Sequence, residues 1–231
     1  MTSAAISTTP ATKRGYGVPT LAVDLDETVA WTVGHWMSRL LREFPIEGAP
    51  SVQQLIEQHR FSQNVPEWKA NPDALERMQQ FRCCPDLHRE LPIIPGSVAA
   101  LRRLETFFSF EYLTMRNEHV LDATRDWLAK HNFPAGEVTV CPSETPLEQK
   151  TAWKARVLEL RYPDLVGIIE DHPSVIQSLP SDYKGTVFFY SHNEAPRNDI
   201  HVIPCPTWEH VEQSIRRELP RLLLGIERSA E

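Results

Sequence analysis

The stretch LAVDLDETVAW, residues 21–31, runs an apolar segment straight into three carboxylates. Leu21, Ala22, Val23 and Leu25 have the character of a buried strand, whereas Asp24, Asp26 and Glu27 are each costly to remove from water. A strand that carries acids to its tip implies that something at the tip requires them. Whether that holds depends on what the rest of the chain builds around it.

Working outward, the region after residue 91 alternates strand-like and helix-like runs. FSFEYLTM, EVTVC, LVGIIED, TVFFY and HVIPC read as short buried strands. Between and after them, NEHVLDATRDWLAKHNF, PLEQKTAWKARVLEL, PSVIQSL and TWEHVEQSIRREL carry helical periodicity. Such alternation predicts βαβ units: a Rossmann-like α/β fold with a parallel sheet and helices on both faces. The strand at residue 21 belongs to the same sheet. Residues 29–91 break the pattern. VGHWMSRLLREF, SVQQLIEQHRF and NPDALERMQQF are amphipathic helices punctuated by prolines, and Asn71-Pro72-Asp73 has the form of a helix start. The expected organisation is a disordered tail over 1–17, a core formed by 18–28 and 92–231, and a helical insertion over 29–91.

The bulk composition narrows the function. With 231 residues and 41% hydrophobic content, one sizeable core is affordable. A net charge of −7 argues against a general nucleic-acid binder, which presents a basic face. The four cysteines (83, 84, 141 and 205) form no CxxC pair, and the nine histidines give no zinc spacing. A reducing, cytoplasmic setting is expected. No run is apolar enough to span a membrane, and the acid-free N-terminus lacks a secretory h-region, although its composition leaves organellar targeting open.

In open α/β sheets, ligands sit at the carboxyl ends of the strands. There the first strand delivers Asp24, Asp26 and Thr28, the second Thr114 and Arg116, and the fourth Glu170 and Asp171. Lys150 or Lys154 opens the helix before the fourth strand. Gathered at one edge, these acids would repel one another, and a hard divalent cation resolves the conflict. Mg²⁺ takes oxygen ligands and keeps several waters. Asp24, Glu170 or Asp171, and a backbone carbonyl at Asp26 are the candidate ligands. Trp31, His35 and Trp36 open the insertion close by and could stack on a base or sugar.

This order of motifs resembles the haloacid dehalogenase-like (HAD) superfamily. Asp24, Asp26 and Thr28 match its DxDxT motif, Thr114 its strand-end hydroxyl, a lysine its third motif, and Glu170-Asp171 its acidic pair, with Glu where Asp is commoner. The resemblance implies Asp24 as nucleophile forming an aspartyl-phosphate and Asp26 as general acid/base. It also implies Thr114 and Lys150 (favoured over Lys154) as phosphate-binding catalytic groups, with Asp24, Asp26, Glu170 and Asp171 around Mg²⁺. Thr28, Arg116 and Trp31 are expected at the substrate. Family ATPases tend to lack the second acid, and haloacid dehalogenases need no metal, so Asp26 points to phosphomonoester hydrolysis. The insertion resembles a C1-type cap, which suits a small soluble phosphate ester, with a nucleotide as one candidate in view of the aromatics. The alternatives are a phosphatase of nucleic-acid ends, disfavoured by the charge, and a HAD-like binding module without turnover. Neither a membrane nor a nucleic-acid partner is expected.

Overall fold

A computed structural model describes residues 18–227, with side chains described through residue 223; the expected tail, 1–17, lies outside the described residues. Six strands form one sheet: β1 (Thr20–Val23), β2 (Ser109–Asn117), β3 (Gly136–Cys141), β4 (Leu165–Glu170), β5 (Thr186–Tyr190) and β6 (Val202–Cys205). All neighbours pair in parallel, in the order β3-β2-β1-β4-β5-β6. The chain builds outward from β1 to β3, returns to the other side of β1, and builds outward again from β4. The reversal falls between β1 and β4, where a crevice opens at the carboxyl ends of the strands.

Alternation along β1 assigns its side chains to opposite faces. Leu21 and Val23 join a core with Phe110, Tyr112, Ile169 and Phe188. That core is covered by α6 (Ser97–Leu104), α7 (Leu121–Lys130) and α10 (Trp208–Glu227). Ala22 points the other way, into a core with Leu113, Ile168 and Val187 beneath α8 (Lys150–Arg161) and α9 (Pro173–Ser178). The three apolar residues of β1 are fully buried, as a strand sandwiched between two helical layers must be.

Between β1 and α6 the chain forms α1 (Thr32–Glu43), α2 (Val52–His59), α3 (Pro66–Lys69), α4 (Pro72–Cys83) and α5 (Pro85–Arg89). These helices share an apolar cluster of their own, with Met37, Leu40, Leu55, Trp68, Met78 and Phe81 at its centre. Asn71 caps α4, accepting from the N–H groups of Asp73 (3.0 Å) and Ala74 (3.3 Å). The short α3 and α5 are absent from the sequence-based expectation. Each starts on a proline, whose fixed φ favours a first helical turn, and each is too brief to show a period. The two ends of the insert are laced together. Trp31 N–H donates to Pro92 O (2.9 Å) and Ile94 N–H to Val29 O (2.8 Å).

Two expected elements are longer in the structure. α10 continues through Pro220 to Glu227, with Leu219 and Leu222 packed on the core beside it. β2 runs past Met115 to Asn117, but its register against β3 shifts between Thr114 and Asn117. The irregularity lies at Arg116, whose N–H donates to the Thr114 hydroxyl (3.2 Å). Among the described residues no helix is long and apolar enough to cross a membrane.

Candidate active site

Asp24 follows directly on β1, and its N–H donates to Ile169 O of β4 (2.9 Å). That bond places its carboxylate beside Glu170, the last residue of β4. Both are buried, Asp24 at 4% and Glu170 at 0% exposure. Lys154, itself fully buried on α8, sits between them. Its Nζ hydrogen-bonds the Asp24 carboxylate and lies 2.6 Å from Glu170 Oε2. Lys150, favoured from the sequence for this position, instead donates to Met115 O at 2.9 Å. It is the first residue of α8, whereas Lys154 lies one turn deeper, where a long side chain reaches the tips of both strands.

Asp171 completes a trio. One carboxylate oxygen each from Asp24, Glu170 and Asp171 lie within 4.8 Å of one another. Burial raises the Asp24 carboxyl to about 7, with Lys154 pulling it down and Glu170 and Asp26 pushing it up. Burial also lifts Asp171 well above the carboxylate range, helped by the charges of Asp24, Glu170 and Glu27. For Lys154, the two carboxylates outweigh burial and hold the ammonium firmly protonated. One buried ammonium faces three acids, and the donor set is all oxygen, so the residues present fit a hard divalent cation such as Mg²⁺.

The trio's two β4-end acids are anchored differently. Glu170 accepts from His172 N–H (2.9 Å) in addition to its pairing with Lys154. Asp171 is the less enclosed, its side chain 14% exposed, and it takes the Thr28 hydroxyl on Oδ1 at 3.4 Å. Thr28, expected at the substrate, is fully buried, and its carbonyl accepts from Trp208 Nε1 (3.0 Å).

Asp26 stands apart from the trio. Its carboxylate takes Arg116 in a bidentate grip, Nη2 at 2.6 Å and Nε at 3.1 Å to each oxygen, and the Thr32 hydroxyl at 2.6 Å. Burial would raise this carboxyl, but the Arg116 charge and hydrogen bonds, with Thr32, outweigh it and hold it at about 2. Arg116 is fixed in turn by donating Nη1 to Thr124 (3.1 Å). The sequence-based expectation placed Arg116 at the substrate; its guanidinium lies on Asp26. Thr114, fully buried at the end of the regular part of β2, lies two residues before it.

Glu27, the third acid of the strand tip, adopts left-handed φ of 61°. Its carboxylate accepts from Val33 N–H in the first turn of α1 (2.6 Å), and burial pushes it up to about 7. Trp31, at the N-cap of α1, is 39% exposed. Its indole lies on Gly34: a Cβ there would meet Trp31 Cε2 at 2.1 Å, so a larger residue would displace the indole. Thr32, Thr124 and the buried His88 are additional residues around Asp26 and Arg116. His88 is pushed down to about 4 by burial and by the Arg116 charge. No spacing rule in the sequence reveals these three. They lie on separate helices brought together only by the fold.

The sequence profile of the family described as "5' nucleotidase, deoxy (Pyrimidine), cytosolic type C protein" matches residues 18–218. The chain belongs to this family. Like the HAD hydrolases whose fold it shares, this type C nucleotidase family member is a hydrolase of the phosphatase class. No curated protein sequence matches the chain. Among solved structures, a haloacid dehalogenase-like hydrolase from Streptococcus pneumoniae is similar at a TM-score of 0.53 and 13% identity, covering 87% of this chain and 98% of its own. A magnesium-bound HAD-hydrolase from Bacillus subtilis aligns at 0.52 and 14%, covering 86% and 99%. The L-2-haloacid dehalogenase of Xanthobacter autotrophicus aligns at 0.50 and 11%, covering 87% and 99%. At these identities the likeness concerns the fold. The expected HAD-like α/β core is thus that of the type C family member.

Proposed function

We propose that the protein is a Mg²⁺-dependent phosphomonoesterase acting through an aspartyl-phosphate on a small phosphorylated metabolite, with a nucleoside monophosphate as the preferred class. The observation that carries this is Asp24, held by Lys154 at the β1/β4 crevice and flanked by Glu170 and Asp171. The family description and the exposed indole of Trp31 support the nucleotide preference. The helical insert serves as the cap that limits access to small esters. Four free thiols and the family's cytosolic description support a cytoplasmic setting.

Asp24, Asp171 and the Asp26 carbonyl would hold the Mg²⁺, and Glu170, engaged by Lys154 and His172 N–H, would orient that lysine. When bound, the cation supplies charge neutralisation for an anionic nucleophile meeting an anionic ester. The Asp24 carboxylate attacks phosphorus as the ester P–O bond breaks, and Lys154 holds the nucleophile in line. Asp26 gives a proton to the leaving alkoxide, then takes one from the water that opens the acyl phosphate. The grip of Arg116 keeps Asp26 in the base form. Burial favours the protonated form that the acid step requires.

Arg116→Ala is therefore expected to lower turnover and to move the acid limb of the pH–rate profile upward by about 1–3 pH units. An unmoved limb would count against Asp26 as the acid/base. The function as a whole is tested by phosphate release from nucleoside monophosphates, sugar phosphates and p-nitrophenyl phosphate, with Mg²⁺ and with EDTA. Release that requires Mg²⁺ and is fastest on nucleoside monophosphates is expected. No release from any ester in Mg²⁺ would overturn the reading.

A further inference from the structure

Arg60 ends α2 with φ of 62°, a backbone that non-glycine residues rarely adopt. The turn directs its side chain out of the insert and onto the end of β4. Nη2 lies 3.5 Å from Asp171 O and 3.9 Å from Asp171 Oδ2. The next residue holds the turn in place: the Phe61 ring stacks on His172 at 5.7 Å and 13°, and the Arg60 guanidinium lies over that ring at 5.5 Å.

The cations around the crevice differ in what they have left to offer. Lys154 is fully buried between two carboxylates. Arg116 is 2% exposed and bound to Asp26 and Thr124. Lys150 holds a backbone carbonyl. Arg60 makes only long contacts to Asp171, and 44% of its side chain faces solvent. Its guanidinium fork has donors available at the mouth of a site that carries an excess of acids. A phosphate dianion seated there matches that fork bidentately, a stronger partner than one carboxylate at 3.9 Å.

We propose that Arg60 is a substrate-binding residue supplied by the insert, which closes on the phosphoryl group of the ester from the Asp171 side. The inference deepens the phosphomonoesterase reading and rests on it. It gives the insert a direct contact with the group that reacts.

The test combines steady-state kinetics on p-nitrophenyl phosphate and a nucleoside monophosphate with competitive inhibition by inorganic phosphate, Mg²⁺ activation, and calorimetric binding of inorganic phosphate in Mg²⁺. Arg60→Ala is expected to raise KM for both esters and to weaken phosphate inhibition and binding by about 10- to 100-fold. The Mg²⁺ activation constant should stay within about twofold, and Arg60→Lys should recover part of the loss. Arg60 is half exposed, so an unchanged melting temperature checks that the variants fold. Unchanged phosphate binding in Arg60→Ala overturns the proposal. So does a change confined to Mg²⁺ activation, which marks Arg60 as a mere ion-pair partner of Asp171. A wild-type protein without turnover sinks the phosphomonoesterase reading, whereas the calorimetric comparison still decides the role of Arg60.

Discussion

Asp24→Asn is expected to reduce phosphate release by on the order of 10⁴-fold or more while leaving the protein folded. The amide keeps the volume of the side chain but cannot attack phosphorus. Because the wild-type carboxylate is buried beside Glu170, the neutral amide should also make the metal-free protein more stable near neutral pH. The sign follows from the raised carboxyl. Between its ordinary value of 3.8 and about 7, the unfolded chain ionises Asp24 while the folded protein keeps it protonated, so stability falls as pH rises through that window. In EDTA, thermal melts across this range should slope less for Asp24→Asn than for wild type. Retained turnover in the variant would remove Asp24 as the nucleophile.

Lys154→Met has the second large effect, and here stability and activity fall together. Its removal leaves Asp24 and Glu170 facing each other in the core, each with a buried partner lost. Breaking a buried pair in this way costs about 3–5 kcal/mol, or roughly 10 °C in melting temperature for a chain of this size. Phosphate release should be lost as well. Lys150→Ala, which gives up a single hydrogen bond to a carbonyl, should keep activity within a few-fold and lower stability by about 1 kcal/mol. The reverse ranking of the two lysines, by activity and by melting temperature, would return the phosphate-binding role to Lys150.

These two lysines mark where the sequence stops being informative. The alternation of strands and helices, the parallel sheet and the acids at strand ends are all local patterns, and they are legible because each is written within a few consecutive residues. Lys150 and Lys154 are four residues apart on one helix face, and nearness to the helix start favours Lys150. What separates them is depth: Lys154 is fully buried between Asp24 and Glu170, whereas Lys150 meets Met115 O. The bond of Asp26 to Arg116 joins the turn after β1 to the irregular end of β2, and no periodicity reports a kink in a strand. Arg60 is further out of reach. It belongs to no motif, and it meets Asp171 only because the insert folds back over the sheet. The family profile spans the strand-end residues, 18–218, as a whole. The placement of Arg60 and Thr32 comes from three-dimensional geometry.

One consequence concerns leverage. Asp26 accepts from Thr32 and Glu27 from Val33, so two adjacent acids of the β1 turn both grip the first turn of α1. The two linkers of the insert are meanwhile tied to each other at Trp31–Pro92 and Val29–Ile94. The root of α1 is thus fastened to the β1 turn at both acids. A displacement of the first turn of α1 is shared by two carboxylates, Thr32 carrying it to Asp26 and Val33 to Glu27.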